Sequence, residues 1–306
     1  MVDTKVDKEK EGELKPIMKT LIRINTKIYK EKEGKEKPIM KTLDRTDTKI
    51  YKEKKGEEKP IMKTFVPGFD ELFAEGGIPR RTSILVAGGT GTGKSTFCRQ
   101  ICYNLVTQGK HCMYVSFEDI IEKIERSMYV FGWDVRKYID SGHLLIQKIN
   151  PLDILRMKFG SVSGSGSATE LSYKIKPLII PKDFKPEIIV VDSLTAVISA
   201  SISKEKNYRV YLQQLFNFFE ETGATSFLIT ETEPLPIRFS DTGIEEFLAD
   251  GILVLYNIQR GDRRENAIEV LKMRYSNHQK KVFFLDISSQ GIKVYPEQQV
   301  MLPVYK

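Results

Sequence analysis

The sequence predicts an α/β fold with a mostly parallel central sheet flanked by helices, which finishes as a C-terminal antiparallel meander. From Thr82 onward, short apolar segments alternate with segments of helical periodicity, which is typical of a parallel sheet. A glycine-rich stretch joins the first of these strands to the first helix. The last three predicted strands follow one another without helices between them, so we expect them to pair in antiparallel order.

The apolar patterns place the elements in order along the chain. Gly109 and Gly223 stand where two of the helices need C-terminal caps. A stretch rich in Gly and Ser over 160–168 predicts an exposed loop. The predicted strands are 83–87, 111–117, 144–149, 187–192, 224–230, 251–258, 267–273 and 282–287, and the predicted helices are 96–108, 120–131 and 208–222.

The N-terminal segment carries a tandem repeat with a period of 22 residues. Pro-Ile-Met-Lys-Thr occurs at 16–20, 38–42 and 60–64. Each unit holds few apolar residues among dense charges, and Pro and Gly interrupt any helix, so three units cannot bury a continuous core. We therefore predict a flexible or weakly structured basic extension over 1–64, followed by one domain over 65–306. A basic arm that docks a partner or nucleic acid is the alternative for this extension.

The net charge of +7 and the pI of 9.0 would by themselves favour a nucleic-acid-binding protein. The charge is unevenly distributed, because residues 1–63 contain 19 Lys and Arg against 13 Asp and Glu, which leaves 29 against 28 for the rest of the chain. The body is therefore nearly neutral, and we expect any nucleic-acid binding to involve the extension.

Hydropathy and cysteine content exclude two further classes of protein. No apolar run is long enough for a membrane span, and the N-terminus lacks the apolar region of a secretory signal, so we expect a cytoplasmic protein without membrane association. Cys98, Cys102 and Cys112 are too few and too clustered for a disulfide framework. We expect them to be reduced thiols in the core.

Residues 88–95 read Gly-Gly-Thr-Gly-Thr-Gly-Lys-Ser, which fits the phosphate-binding pattern GxxxxGK[ST]. The glycines let backbone N–H groups point at phosphate oxygens, Lys94 places a cation on the β- and γ-phosphates, and Ser95 offers a hydroxyl to Mg²⁺. The motif therefore predicts binding of a nucleoside triphosphate together with Mg²⁺. The predicted binding residues are Gly88, Gly89, Thr90, Gly91, Thr92, Gly93, Lys94, Ser95 and Thr96.

Acidic residues end two of the predicted strands. Asp192 follows four apolar residues, which is the Walker B arrangement in which a carboxylate holds the metal or its water. Glu118 and Asp119 follow the strand 111–117, where a carboxylate can orient or deprotonate the attacking water. An acidic N-terminal cap for the helix beginning near Ile120 explains the same pair equally well. Asp119 can serve as the cap while Glu118 does the chemistry.

An ordered series of motifs over residues 65–296 resembles the KaiC-like branch of the RecA-type ATPases, and in particular its archaeal single-domain members. The series comprises Pro67-Gly-Phe-Asp-Glu-Leu72, Gly76-Gly-Ile-Pro79, the phosphate-binding loop, Ser116-Phe-Glu-Asp119, Phe131-Gly-Trp-Asp134, Val191-Asp-Ser193, Gly243-Ile-Glu-Glu-Phe-Leu-Ala-Asp-Gly251, Lys272-Met-Arg274 and Gly291-Ile-Lys-Val-Tyr-Pro296.

The resemblance implies roles for particular residues. The family's paired carboxylates, usually two Glu, fall on Glu118 and Asp119, so Glu118 is expected to be the catalytic base and the role of the shorter Asp119 is open. The family's K-M-R segment, which reaches the nucleotide of a neighbouring subunit, falls on Lys272 and Arg274, with Tyr275 in place of the usual Gly. The alternative is that Lys272 and Arg274, which are two residues apart and so on one face of a strand, simply point to solvent.

The turn before the strand that carries Lys272 and Arg274 contains further arginines that are candidates for a subunit interface. Arg260, Arg263 or Arg264 can contribute at a subunit interface, or can be solvated turn charges.

The resemblance also implies a RecA-like P-loop fold and a homo-oligomeric ring, a hexamer, that hydrolyses ATP at its subunit interfaces in a regulatory or signalling role. Two alternatives stay open. A recombinase paralogue or DNA-associated ATPase would use the basic extension, although the neutral body argues against it. An autokinase would phosphorylate its own hydroxyls, for which Ser199, Ser201 and Ser203 follow the Walker B strand.

Overall fold

A computed structural model of the chain describes residues 61–151, 178, 180–201, 205–236, 238–240 and 242–303. The predictions for residues 1–60 and for the loop at 160–168 therefore lie outside the described residues, as does Ser203. No helix within the described ranges is both long and apolar enough to cross a membrane.

The described strands and helices follow the predicted alternation. The strands are β1 (Ile61–Met62), β2 (Ile78–Pro79), β3 (Ser83–Gly88), β4 (Cys112–Ser116), β5 (Leu144–Lys148), β6 (Ile188–Asp192), β7 (Thr225–Glu231), β8 (Gly251–Arg260), β9 (Arg263–Met273), β10 (Val282–Ser288) and β11 (Gly291–Gln299). The helices are α1 (Lys94–Val106), α2 (Ile121–Tyr129), α3 (Arg136–Asp140), α4 (Leu194–Ser201), α5 (Glu205–Thr222) and α6 (Ile244–Leu248), and a 3₁₀ turn spans Asp70–Leu72.

Nine of the described strands form one sheet in the order β11-β10-β9-β8-β3-β7-β6-β4-β5. Neighbouring strands in the part β8-β3-β7-β6-β4-β5 are parallel. Neighbouring strands in the part β11-β10-β9-β8 are antiparallel. This arrangement confirms the predicted parallel sheet with its antiparallel meander. Because the carboxyl ends of parallel strands meet at one edge, the loops after β3, β4, β6 and β7 lie next to one another there.

The predicted boundaries differ from the structure at several ends. Helix α1 begins at Lys94 instead of residue 96, because Gly93 is already its N-cap, and α5 begins at Glu205 instead of residue 208. Strand β11, which contains Pro296, is not among the predicted strands. The structure places β11 at the end of the sheet order, where Pro296 is tolerated.

The sheet separates two apolar layers. Alternate strand residues face opposite layers, so Ile84 and Val86 of β3 pack with α1 and α2, whereas Leu85 packs with α4 and α5. The three cysteines are buried in the apolar layer that contains α1 and α2, as predicted. Cys98, Cys102 and Cys112 are all free thiols that are inaccessible to solvent.

The third repeat copy reaches into this domain. Its β1 residues pair with β2, and the Met62 side chain is 2% exposed in the first apolar layer. Thr64 is buried, and its backbone N–H and hydroxyl donate to the Asp70 carboxylate at 3.0 and 2.8 Å. The described domain therefore includes Ile61–Thr64, which the sequence assigned to the extension.

Candidate functional site

The glycine-rich loop connects the end of β3 to the start of α1, in the middle of the sheet. Gly88 has a φ of +154°, and a Cβ there would lie 2.3 Å from the carbonyl oxygen of Leu255 in β8. Gly93 has a φ of +93°, and a Cβ there would lie 2.6 Å from Ile287 Cδ1. Both positions therefore need glycine, which lets the loop curl tightly against β8 and β10.

Lys94 is folded into the loop that precedes it. Its Nζ donates to the carbonyl oxygens of Gly88 and Gly89, both at 2.8 Å, and the residue is 6% exposed. Burial lowers the pKa of Lys94, while the nearby carboxylates of Glu231 and Asp192 act to raise it. The loop therefore holds an ammonium group at its centre, with the helix N-terminus behind it, as phosphate binding requires.

A cavity of about 380 Å³ opens over this loop. Parallel register brings its acidic wall together, because Asp192 pairs with Ser116 and Glu231 pairs with Gly88. Its lining residues are Gly91, Gly93, Lys94, Ser95, Thr96, Glu118, Asp192, Ser193, Ile229, Glu231 and Ile287.

Asp192 is buried at the bottom of this cavity. Its carboxylate accepts hydrogen bonds from the Tyr114 hydroxyl at 2.5 Å and from Ser95. Burial raises the pKa of Asp192, and those two hydrogen bonds together with Arg99 act in the opposite direction. The structure therefore brings the side chains of Ser95 and Asp192 into contact.

Glu118 and Asp119 are adjacent in sequence but have different surroundings. Glu118 lines the cavity, and its Oε1 accepts a hydrogen bond from Ser193 Oγ at 2.5 Å. Asp119 faces two cations, accepting from Lys123 Nζ at 2.6 Å and from Arg99 Nη2 at 3.0 Å. Burial would raise the pKa of Asp119, but these two hydrogen bonds hold it below its usual value.

The capping interpretation of this acidic pair differs from the structure. The N-cap of α2 is Ile120, which has no side-chain capping bond, and Asp119 instead pairs with Lys123 one turn along the helix. The turn that carries Glu118 and Asp119 is held by Ser116. Its Oγ accepts hydrogen bonds from the backbone N–H groups of Glu118 and Asp119 at 3.2 and 2.8 Å.

Lys272 and Arg274 lie at the opposite edge of the sheet from the phosphate-binding loop. Lys272 pairs with Ile252 at the start of β8, whereas Gly88 at the loop pairs with Leu255. Lys272 Nζ donates to the carbonyl oxygens of Glu246 and Ala249 at 2.9 and 2.7 Å. Arg274 donates to the carbonyl oxygen of Phe247 at 3.2 Å, so both cations are held against α6 of their own chain.

Tyr275, the departure from the family's glycine, has a φ of +69° and so keeps a backbone conformation that glycine favours.

The remaining residues that the sequence singled out, three arginines and the serines after β6, are not among the described residues that line the cavity. Arg260 pairs with Glu265 and also donates to the carbonyl oxygen of Met301, Arg264 donates to Asn257 and Gln259, and Arg263 is exposed in the same hairpin. Ser199 is exposed on α4, and the Ser201 side chain lies outside the described set.

Sequence reasoning missed four polar residues around the site. Ser193 contacts Glu118, Glu231 lines the cavity, and Arg99 and Tyr114 contact the carboxylate of Asp192. Glu231 ends an apolar strand, which is the signal that identified Asp192. Arg99 and Tyr114 carry no comparable signal, because both lie within apolar segments.

Comparisons with known proteins find one matching family and several similar proteins. The family described as "ATPase: KaiC" matches residues 62–299. The circadian clock oscillator protein KaiC of Synechococcus elongatus is 29% identical over 236 residues, which are 76% of this chain and 43% of that protein. The circadian clock protein KaiC3 of Synechocystis sp. is 30% identical over 238 residues, covering 78% of this chain and 46% of that protein. The chain thus spans less than half the length of these curated relatives.

A solved structure matches over a full chain. The crystal structure of the KaiC-like protein PH0186 from the hyperthermophilic archaeon Pyrococcus horikoshii OT3 superposes with a TM-score of 0.64 at 31% identity, covering 78% of this chain and 100% of that chain.

Proposed function

This chain belongs to the KaiC family of RecA-type P-loop ATPases, and we propose that it hydrolyses ATP with Mg²⁺ at the subunit interfaces of a homo-oligomeric ring, a hexamer, in a regulatory or signalling role. The observation that carries the proposal is the cavity over the glycine-rich loop, where Lys94, Ser95, Asp192 and Glu118 meet.

The triphosphate would lie along the loop of residues 88–96. Lys94 now donates to two loop carbonyls, and a phosphate oxygen is a stronger acceptor because it carries negative charge. The backbone N–H groups at the start of α1 point into the same space. Lys94 would therefore move its hydrogen bonds to the β- and γ-phosphates without leaving the loop.

The residues at the cavity floor fit Mg²⁺. Their donors are oxygens, a hydroxyl from Ser95 and a carboxylate from Asp192, and Mg²⁺ prefers few protein oxygens together with water and phosphate. When bound, the ion neutralises charge on the phosphates. Ser95 and Asp192 would hold it, directly or through water.

Glu118 is the proposed general base. Its carboxylate lines the cavity and accepts a hydrogen bond from the neutral hydroxyl of Ser193, which orients the carboxylate without neutralising it. The role of Asp119 is different, because its oxygens are already paired with Lys123 and Arg99. Glu118 would orient the attacking water and accept its proton.

We propose that Lys272 and Arg274 serve a neighbouring subunit's nucleotide, because they lie away from the phosphate-binding loop of their own chain. The two residues lie beside Gly251 on β8, whereas Gly88 at the loop pairs with Leu255. Gly251 and Leu255 are four residues apart on this strand, which is a distance of about 13 Å. Their side chains donate to carbonyl oxygens at α6 of their own chain. We propose that in the ring they supply the cation that stabilises charge on the transferring phosphoryl group.

Steady-state ATP turnover by the full chain tests the proposal, with and without DNA and with a check for phosphoprotein. We expect release of ADP and phosphate without DNA, and no turnover by Lys94→Ala, because the β- and γ-phosphates lose the loop cation. Turnover by folded Lys94→Ala equal to that of the unaltered chain would contradict the site. Strict dependence on DNA would favour a DNA-associated ATPase, and stoichiometric phosphoprotein would favour an autokinase.

A further inference from the structure

Arg99, on α1, is a buried cation that the proposed reaction does not use. The residue is 8% exposed, and each of its guanidinium nitrogens has a partner. Nε donates to the Tyr114 hydroxyl oxygen at 3.1 Å, and Nη1 donates to Ser127 Oγ at 2.8 Å. Nη2 donates to Asp119 Oδ2 at 3.0 Å and lies 3.5 Å from Asp192 Oδ2.

Tyr114 on β4 contacts the same oxygen of the Walker B carboxylate. Its hydroxyl donates to Asp192 Oδ2 at 2.5 Å, while the hydroxyl oxygen accepts from Arg99 Nε. Both groups therefore converge on Oδ2. Because a carboxylate is planar, holding one oxygen from two sides also fixes the direction of the other.

Asp119 contacts the same guanidinium nitrogen, Nη2, that lies near Asp192. A buried arginine needs a nearby anion, and Asp119 supplies it with a direct hydrogen bond from Nη2. Lys123, which is largely exposed, pairs with the other oxygen of Asp119. The second acid of the pair is thus bound to Arg99 and does not line the cavity, in contrast to Glu118.

We propose that Arg99 and Tyr114 are positioning residues that orient Asp192 toward Mg²⁺, and that Asp119 acts as the counter-ion of Arg99 instead of as a second base. The proposal rests on the proposed function, since it names how the Mg²⁺ site of that reaction is oriented. Partners that orient a metal ligand set metal affinity, and their loss typically weakens it by 10–100-fold.

The test measures metal-dependent nucleotide binding and does not depend on turnover. A fluorescent N-methylanthraniloyl-ADP is titrated into the full chain in EDTA and then over a range of Mg²⁺ concentrations. Tyr114→Phe keeps the buried ring and removes the hydroxyl that contacts Asp192. We expect the Mg²⁺ concentration at half-maximal effect to rise roughly tenfold, with the affinity for the probe in EDTA unchanged.

Two matched comparisons separate positioning from a structural role. Ser127→Ala removes one hydrogen bond from Arg99 but leaves its contacts with Asp119, Tyr114 and Asp192, so its Mg²⁺ midpoint should match that of the unaltered chain. Arg99→Lys keeps a cation beside Asp192 and should retain more Mg²⁺ affinity than Arg99→Met. This second pair tests the proposal even where Tyr114→Phe does not fold.

The outcomes are distinct. An unchanged Mg²⁺ midpoint in folded Tyr114→Phe, or an equal shift in Ser127→Ala, overturns the positioning role while the proposed function stands. Equal losses in EDTA and in Mg²⁺ also overturn it, because they indicate a structural effect. If the unaltered chain does not bind the probe at all, the proposed function and the positioning role both fail.

Discussion

At the scale of single residues, Glu118 and Asp119 show how two adjacent carboxylates acquire different chemistry. Glu118 lines the cavity with Ser193 as its donor, whereas Asp119 is paired with Lys123 and Arg99. From the sequence and its family resemblance, Glu118 was expected to be the base, and the role of Asp119 was left open. Ser193 lies 75 positions from Glu118 and Arg99 lies 20 positions from Asp119, so only the folded chain brings these two partners to the acidic pair.

Glu118→Gln should keep ATP bound while slowing hydrolysis by roughly 10²–10⁴-fold, because it removes the base and preserves the shape of the side chain. Asp119→Asn should reduce hydrolysis much less, since the amide oxygen can still accept from Arg99. Single-turnover hydrolysis and equilibrium ATP binding of both variants provide the measurement. A larger loss of hydrolysis in Asp119→Asn than in Glu118→Gln would show that the roles are reversed.

The glycine-rich loop before α1 could be predicted from the sequence, because its residues are contiguous and its backbone conformation requires Gly88 and Gly93. Arg99 and Tyr114 escaped the same reasoning. They lie 15 positions apart, on α1 and β4, and they contact Asp192 through strand order, which no local pattern encodes.

At the scale of elements, the long apolar strands and the amphipathic helices were predictable, and the short or interrupted ones were not. β1 and β2 have two residues each, too few for any periodicity. α3 and α6 have five residues each, and β11 contains Pro296. These elements depend on packing against the rest of the domain, which overrides their weak local preferences.

The repeat provides a matched test of this dependence. Met62 of the third copy is buried in the core, so Met62→Ala should lower the free energy of unfolding by about 2–5 kcal/mol. Met40 occupies the same position of the second Pro-Ile-Met-Lys-Thr copy, in the segment predicted to lack a core, so Met40→Ala should change it by less than about 0.5 kcal/mol. Urea unfolding of the full chain measures both. Equal losses would contradict the predicted difference between the copies.

At the scale of the whole molecule, the uneven distribution of charge predicts that ATP turnover and any DNA binding belong to different parts of the chain. The basic residues in excess lie before residue 64, whereas the rest of the chain is nearly neutral. A chain lacking residues 1–58 should therefore keep its ATP turnover and lose any salt-sensitive DNA binding. Turnover assays and DNA titrations at several salt concentrations measure this, and salt-insensitive DNA binding by the shortened chain would contradict it.

The central claim is that the catalytic site is shared between subunits, because Lys272 and Arg274 lie at the edge of the sheet opposite their own loop. The most direct test mixes Lys94→Ala subunits with subunits carrying Lys272→Ala and Arg274→Ala, each nearly inactive alone. At equal mixing, about a quarter of the interfaces of a ring would combine an intact loop with intact cations. We therefore predict partial recovery of ATP turnover once native mass spectrometry shows mixed assemblies. No recovery in verified mixed assemblies would contradict the claim.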